Sequence, residues 1–147
     1  MKSLLYVILF SLTTNLLWSD PVPDYKISDI KIIPFESKTG EFQEQVKQNQ
    51  PEPYSNAIST SFFVIVEISG KAGSYESKRK VEIQVLEGGR KKVNKVETNM
   101  LLGANGKFFI PLLLSPLICK DLKITANVLG QTKESSLTRT IPFRCGE

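Results

Sequence analysis

Chemistry in this chain must come from serines, lysines, carboxylates and two cysteines, because the sequence contains no histidine. That removes serine–histidine and cysteine–histidine nucleophilic pairs and most zinc sites. Ser28 and Lys31 stand three residues apart, as do Ser77 and Lys80. On a helix this spacing sets a lysine ammonium against a serine hydroxyl, an arrangement suited to acyl transfer, and Lys38-Thr39-Gly40 would add a third fragment of such a site. Both pairs lie in or beside segments patterned as strands, however, where residues i and i+3 point to opposite faces. Glu41 and Glu44 form a carboxylate pair inside a polar stretch and read as solvated surface. No Asp-x-Asp calcium loop and no glycine-rich phosphate loop occurs. The expectation is a chain with no catalytic residue, no metal and no cofactor.

The cysteines remain. Cys145 stands two residues from the end of the chain, in "IPFRCGE". The segments that would position it are "CKDLKITANVLG" and "ESSLTRTIPFRC", in which apolar and polar residues alternate. Folded about Thr132-Lys133, they set Leu122 against Phe143, Ile124 against Ile141 and Val128 against Leu137, giving one apolar face. The same hairpin brings Cys119 beside Cys145, one position out of register, which a bulge near Lys120-Asp121 or relaxation at the strand ends would absorb. A Cys119–Cys145 disulfide is therefore expected, and with it an oxidising compartment.

The start of the chain agrees with that compartment. Lys2, the apolar run Leu4–Leu12 and a short segment ending at Ser19 follow the order of a secretory signal peptide, leaving a domain from Asp20 to Glu147. The run is too short to span a bilayer, which takes about 20 residues. The expected location is outside the cytoplasm, with a bacterial periplasm favoured because no Asn-x-Ser/Thr acceptor occurs.

Ile27–Phe35 reads as a first strand whose alternation slips between Ile30 and Ile33, which suggests a bulge or an edge position, and Pro34 also favours an edge. Residues 36–56 form a long polar loop in which Phe42 and Val46, four apart, would share the face of a short helix. Ala57–Gly70 is the clearest strand. It is apolar on both faces, which predicts a central strand covered on both sides. Lys78–Met100 reads as a hairpin about Gly88-Gly89, with Glu87 opposite Arg90, Glu82 opposite Lys95, Lys80 opposite Glu97 and Val81 opposite Val96. A turn at Gly103–Lys107 leads to a strand from Lys107 to Leu114 and then a crossing loop.

About seven strands, closely spaced turns and almost no helix make a single antiparallel β-sandwich. The arrangement resembles immunoglobulin-like and fibronectin type III-like domains in architecture. Neither a cysteine pair joining two sheets nor a core tryptophan is present, since Trp18 lies in the leader.

Two surfaces stand out for partners. Lys78, Arg79, Lys80, Arg90, Lys91 and Lys92 gather on one hairpin. Leu112, Leu113, Leu114 and Leu117 cannot all point inward from one strand of a two-layer fold. The net charge of +4 is mild, and no aromatic residues interleave the basic cluster, so nucleic acid is not the expected partner. The reading is a secreted, non-enzymatic β-sandwich that binds a protein or cell-envelope component, with possible peripheral contact to an anionic surface. The alternatives are a structural subunit joining an envelope assembly by strand addition and a small lipid or ligand carrier, with Phe62, Phe63, Phe108 and Phe109 around a cavity.

Overall fold

The computed structural model describes residues 24–48, 52–77, 79–97, 99–114 and 117–145. The segment read as a signal peptide, and Lys78, lie outside the described residues. In chain order the strands are β1 (Lys26–Glu36), β2 (Glu41–Phe42), β3 (Tyr54–Asn56), β4 (Thr60–Ser69), β5 (Tyr75–Glu76) and β6 (Lys80–Glu87). They continue with β7 (Arg90–Glu97), β8 (Met100–Leu101), β9 (Lys107–Leu114), β10 (Leu122–Leu129), β11 (Ser135–Ile141) and β12 (Phe143–Cys145).

Two four-stranded sheets carry the fold, ordered β2-β1-β4-β9 and β11-β10-β6-β7. Every pairing within them is antiparallel. The chain crosses between sheets after β4, after β7 and after β9, which gives the Greek-key connectivity of an immunoglobulin-like sandwich. The long strands β1, β4, β6, β7, β9, β10 and β11 match the expectation of about seven. The short β2, β3, β5, β8 and β12 trim the two ends.

Period-two alternation builds the core. Phe62, Val64, Val66 and Ile68 of β4 face Val81, Ile83 and Val85 of β6 and Leu122, Ile124, Ala126 and Val128 of β10, all buried. Two turns depend on glycine. Gly88 and Gly89 have φ of 53° and 81°, as a two-residue hairpin turn between right-twisted strands requires. Gly106 has φ of 69°, and a Cβ there would stand 2.6 Å from the Gly70 carbonyl oxygen.

Five expectations are corrected. The β1 bulge falls between Ile27 and Asp29, so Ile27, Ile30 and Ile32 all point inward and Ile33 points out. The β6–β7 hairpin keeps Glu87 opposite Arg90, but a second bulge between Val85 and Leu86 then shifts the ladder by one. Val81 meets Glu97, Glu82 meets Val96 and Ile83 meets Lys95. The ion pairs that form are Lys92–Glu87 at 2.8 Å and Lys95–Glu97 at 3.4 Å. Third, the described residues of the 36–56 stretch hold no short helix. Gln43 and Val46 donate backbone N–H groups to the carbonyls of Pro34 and Ile32, both at 2.9 Å, so this stretch lies along the β1 edge. Val46 is buried while Phe42 is exposed.

Fourth, β10 and β11 pair with Leu122 opposite Ile141 and Val128 opposite Ser135, two residues from the expected register. Pro142 cannot extend the ladder. Beyond it β12 leaves β10 and pairs in parallel with β3. Phe143 there packs against Phe62 and Tyr54, with ring centroids 5.0 and 5.5 Å away. The Cys119–Cys145 disulfide forms, with Cα atoms 4.6 Å apart, but it ties the departed β12 to the loop ahead of β10. Fifth, β4 is central yet covered on one side only. Phe63 and Ile65, on its other face, are only partly buried.

Candidate interaction surfaces

The outer face of the first sheet follows directly from that last correction. Register places Ile33 of β1, Phe63 of β4 and Leu113 of β9 in one row across three strands. Lys31, Ile65 and Pro111 form the next row. Phe42 of β2 lies opposite Phe35 of β1 and extends the apolar rows to a fourth strand. The rings of Phe35, Phe42 and Phe63 form a cluster, with centroid separations of 5.0, 5.2 and 6.0 Å. Phe42 and Leu113 are each 60% exposed and Phe109 is 45% exposed. An antiparallel sheet with one solvated face ordinarily carries polar residues there. Here an apolar strip crosses it.

The strip ends at a polar cluster. Glu67, buried at 5% exposure, points to the same outer face. Its carboxylate accepts from Lys107 Nζ at 2.7 Å, Ser28 Oγ at 3.1 Å and Lys31 Nζ at 3.3 Å. The Lys107 ammonium, with help from Ser28 and Lys31, outweighs burial and holds the carboxyl below its ordinary value of 4.5. A lowered folded-state pKa means the carboxylate stabilises the fold above the ordinary value, and that stabilisation disappears as pH falls through the folded value. Glu67→Gln is accordingly expected to cost about 1.5–3 kcal/mol at pH 7, the range for hydrogen bonds to a charged group. It should also flatten the fall in stability on the acid side of the ordinary value, where the wild-type group protonates in the folded protein. Urea titrations at neutral and acid pH check both points.

The residues singled out in the sequence are divided by the structure. Arg79 is buried at 2% exposure and ion-paired with Glu76, so it belongs to no surface. Lys80 is exposed but opens β6, whereas Arg90, Lys91 and Lys92 open β7 beyond the turn. At about 3.3 Å per residue these groups are roughly 25 Å apart, at opposite ends of the hairpin. Arg90, Lys91 and Lys92 instead join Lys120, Glu87 and Cys119 around a cleft of about 310 Å³. Burial pushes the Glu87 carboxyl up, but the Lys92 ammonium and the Cys119 N–H outweigh it and lower its pKa. Leu112 and Leu114 face the core and Leu113 faces out, because alternate residues of β9 point to opposite sides, while Leu117, in the loop beyond β9, is exposed.

Phe62 points into the core and Phe63 out of it. Phe108 packs against the core and Phe109 stands on the outer face. The four therefore do not surround one cavity. At the β9 edge, Lys95 Nζ donates to the Pro111 carbonyl at 3.3 Å. That places the Pro111 backbone on the open side of the strand, where it offers no N–H. Among the described residues no group of three potential ligands could hold a metal ion, and no helix is long and apolar enough to cross a membrane.

Ile33, Phe35, Phe42, Phe63 and Lys120 were not among the surface residues read from the sequence. The signal for Phe63 was available in the two-faced apolarity of β4, which equally fits a covered strand, whereas Ile33, Phe35 and Phe42 join it only through the pairings of β1.

No protein-family model matches the chain, and no curated protein sequence does. Among solved structures it is similar to the CARDB domain of a Pyrococcus furiosus protein, crystallised in complex with di-metal ions. The two share 14% identity over 84% of this chain and 96% of that one, with a TM-score of 0.46. The solution structure of the same domain shares 15% identity over 83% of this chain and 95% of that one, with a TM-score of 0.46. The C-terminal domain of wzt shares 12% identity over 84% of this chain and 74% of that one, with a TM-score of 0.45.

Proposed function

We propose that the chain is an exported, non-enzymatic β-sandwich that binds a protein or cell-envelope component through the outer face of its first sheet. The carrying observation is the apolar strip Ile33, Phe35, Phe42, Phe63 and Leu113. Aromatic residues held on a rigid sheet lose little side-chain freedom on binding, and contiguous exposed apolar surface of this kind marks interaction sites. The Cys119–Cys145 bridge supports the exported reading, since such bonds persist in oxidising compartments. Strand addition at β9 is weakened by Pro111, which interrupts the row of free N–H donors, and by Lys95, which occupies its carbonyl.

Affinity capture from the native compartment tests this reading. The wild type should retain a partner, and Phe42→Asp with Leu113→Asp should weaken retention by ~30-fold or more, the scale of two interface anchors. Both residues are exposed, so the unfolding midpoint should hold. Retention unchanged by the double substitution would remove the strip from consideration.

A further inference from the structure

One end of the sandwich gathers features that the strip does not use. The C-terminal ends of β1, β6, β9 and β11 and the N-terminal ends of β4, β7 and β10 all lie there, as the antiparallel registers require. Leu117, in the loop from β9 to β10, is 52% exposed with φ of 76°. A left-handed backbone is unfavourable for a residue with a Cβ and persists only where its surroundings impose it. Here the next residue, Ile118, is fully buried. The one after, Cys119, is bonded to Cys145 and donates its N–H to Glu87 Oε1 at 2.9 Å. The loop is thus fastened immediately behind a leucine that points to solvent. Ile58, just ahead of β4 at the same end, is 77% exposed.

Beside this apolar tip lies the cationic cleft. Both oxygens of Glu87 are occupied, one by Cys119 N–H and the other by Lys92 Nζ at 2.8 Å. Among the described residues Arg90, Lys91 and Lys120 have no carboxylate within ion-pair distance, and all three are exposed. Cys119, two residues from Leu117, forms part of the cleft wall. Apolar side chains on two separate connections at one end of the sandwich, outside the cleft, with three free cations alongside, match a layered partner. Hydrocarbon would meet the tips, and phosphates would meet the cations. A peptide would need a groove to lie in, and the cleft is cationic while the leucine and isoleucine stand outside it.

We propose that this end of the sandwich docks on an anionic lipid surface, with Leu117 and Ile58 entering the acyl boundary and Arg90, Lys91 and Lys120 meeting lipid phosphates. It deepens the reading above by naming an envelope component, but uses residues separate from the aromatic strip. The two can therefore fail independently.

The test is sedimentation of the full chain with vesicles of phosphatidylcholine alone and with one-third phosphatidylglycerol. The quantity compared is the difference between the two, so that the apolar N-terminal segment contributes equally throughout. Binding to the anionic vesicles should be at least about tenfold stronger and should weaken steeply with salt. Lys91→Glu with Lys120→Glu should abolish that difference. Arg90→Glu with Lys91→Glu gives the same readout should Lys120, whose stem packs near Gly88, prove necessary for folding. Leu117→Ser should weaken anionic binding several-fold and leave its salt dependence unchanged. Phe42→Asp should leave vesicle binding intact. Equal binding to both vesicle types, or charge-reversed variants that sediment like the wild type, would overturn the proposal. So would a wild type that ignores both vesicles while the same lysine variants lose a captured acidic protein.

Discussion

Replacing Cys119 and Cys145 together by serine is expected to lower the unfolding midpoint by on the order of 10 °C. The bond joins residues 26 positions apart. A loop of that length restricts the unfolded chain by about 3.5 kcal/mol in the chain-entropy picture. What the bond holds in the folded state matters equally. β12 pairs with β3 at only Phe143, Arg144 and Cys145, and so short a parallel ladder is not stable by itself. Yet Phe143 is 3% exposed, its ring lodged between Phe62 and Tyr54. Pro142 has already ended the β10–β11 ladder, so the disulfide is the covalent tie that keeps this strand at the core. Loss of the bond should therefore show locally before it shows globally. Amide exchange at Tyr54, whose N–H bonds the Pro142 carbonyl at 2.8 Å, should accelerate in the double variant at temperatures where β4 stays protected. A midpoint shift under about 3 °C, with Tyr54 protection retained, would mean the strand holds its place without the bridge.

The parts of this fold legible in the sequence are those governed by period-two alternation alone. β9 runs over Lys107–Leu114 as its pattern requires, β10 shows its inward Leu122, Ile124, Ala126 and Val128, and the two cysteines find each other. Three kinds of information were not local. A bulge adds one residue without changing composition, so the three opposite-charge pairs that favour an unbulged β6–β7 register give no sign of it, and only Glu87 opposite Arg90 survives. The path beyond Pro142 depended on Phe62 and Tyr54 offering a place for Phe143, a contact between segments roughly 80 residues apart. The outward strip was hidden because a strand apolar on both faces reads the same whether a second layer covers it or a partner does. Phe42 and Phe35 complete the strip only through the β1–β2 pairing, which a stretch so rich in Glu, Gln and Lys did not announce. Arg79 was misplaced for a related reason. A basic residue in a basic run reads as surface, and the groups that make its burial tolerable lie elsewhere in the chain.

Arg79→Ala should cost about 3–5 kcal/mol, the range for breaking a buried ion pair by removing one member. The Arg79 guanidinium donates from Nε and Nη2 to Glu76 Oε2 at 3.2 and 3.0 Å, and from Nη1 to the Gly130 carbonyl. It also lies 5.6 Å from the centroid of the Tyr25 ring. Tyr25 is itself 1% exposed and exchanges two backbone hydrogen bonds with the Gln131 side chain, at 3.0 and 2.8 Å. One side chain thus joins the approach to β1, the end of β5 and the β10–β11 connection, at the end of the sandwich opposite the disulfide. Truncation leaves Glu76 and the Gly130 carbonyl without their donor and opens a void beside an aromatic ring. Arg79→Lys keeps the charge but cannot reach both acceptors with a planar fork, so about half the loss should remain. The decisive variant is Arg79→Met combined with Glu76→Leu. Removing both members takes away the uncompensated charge as well as the attraction, and the pair should cost less than either single change. Urea unfolding of the four proteins, repeated at high salt, separates the cases, because a pair shielded this well is little screened. A double variant as unstable as Arg79→Ala would show that the Gly130 and Tyr25 contacts, rather than the charge pair, hold this end of the fold together.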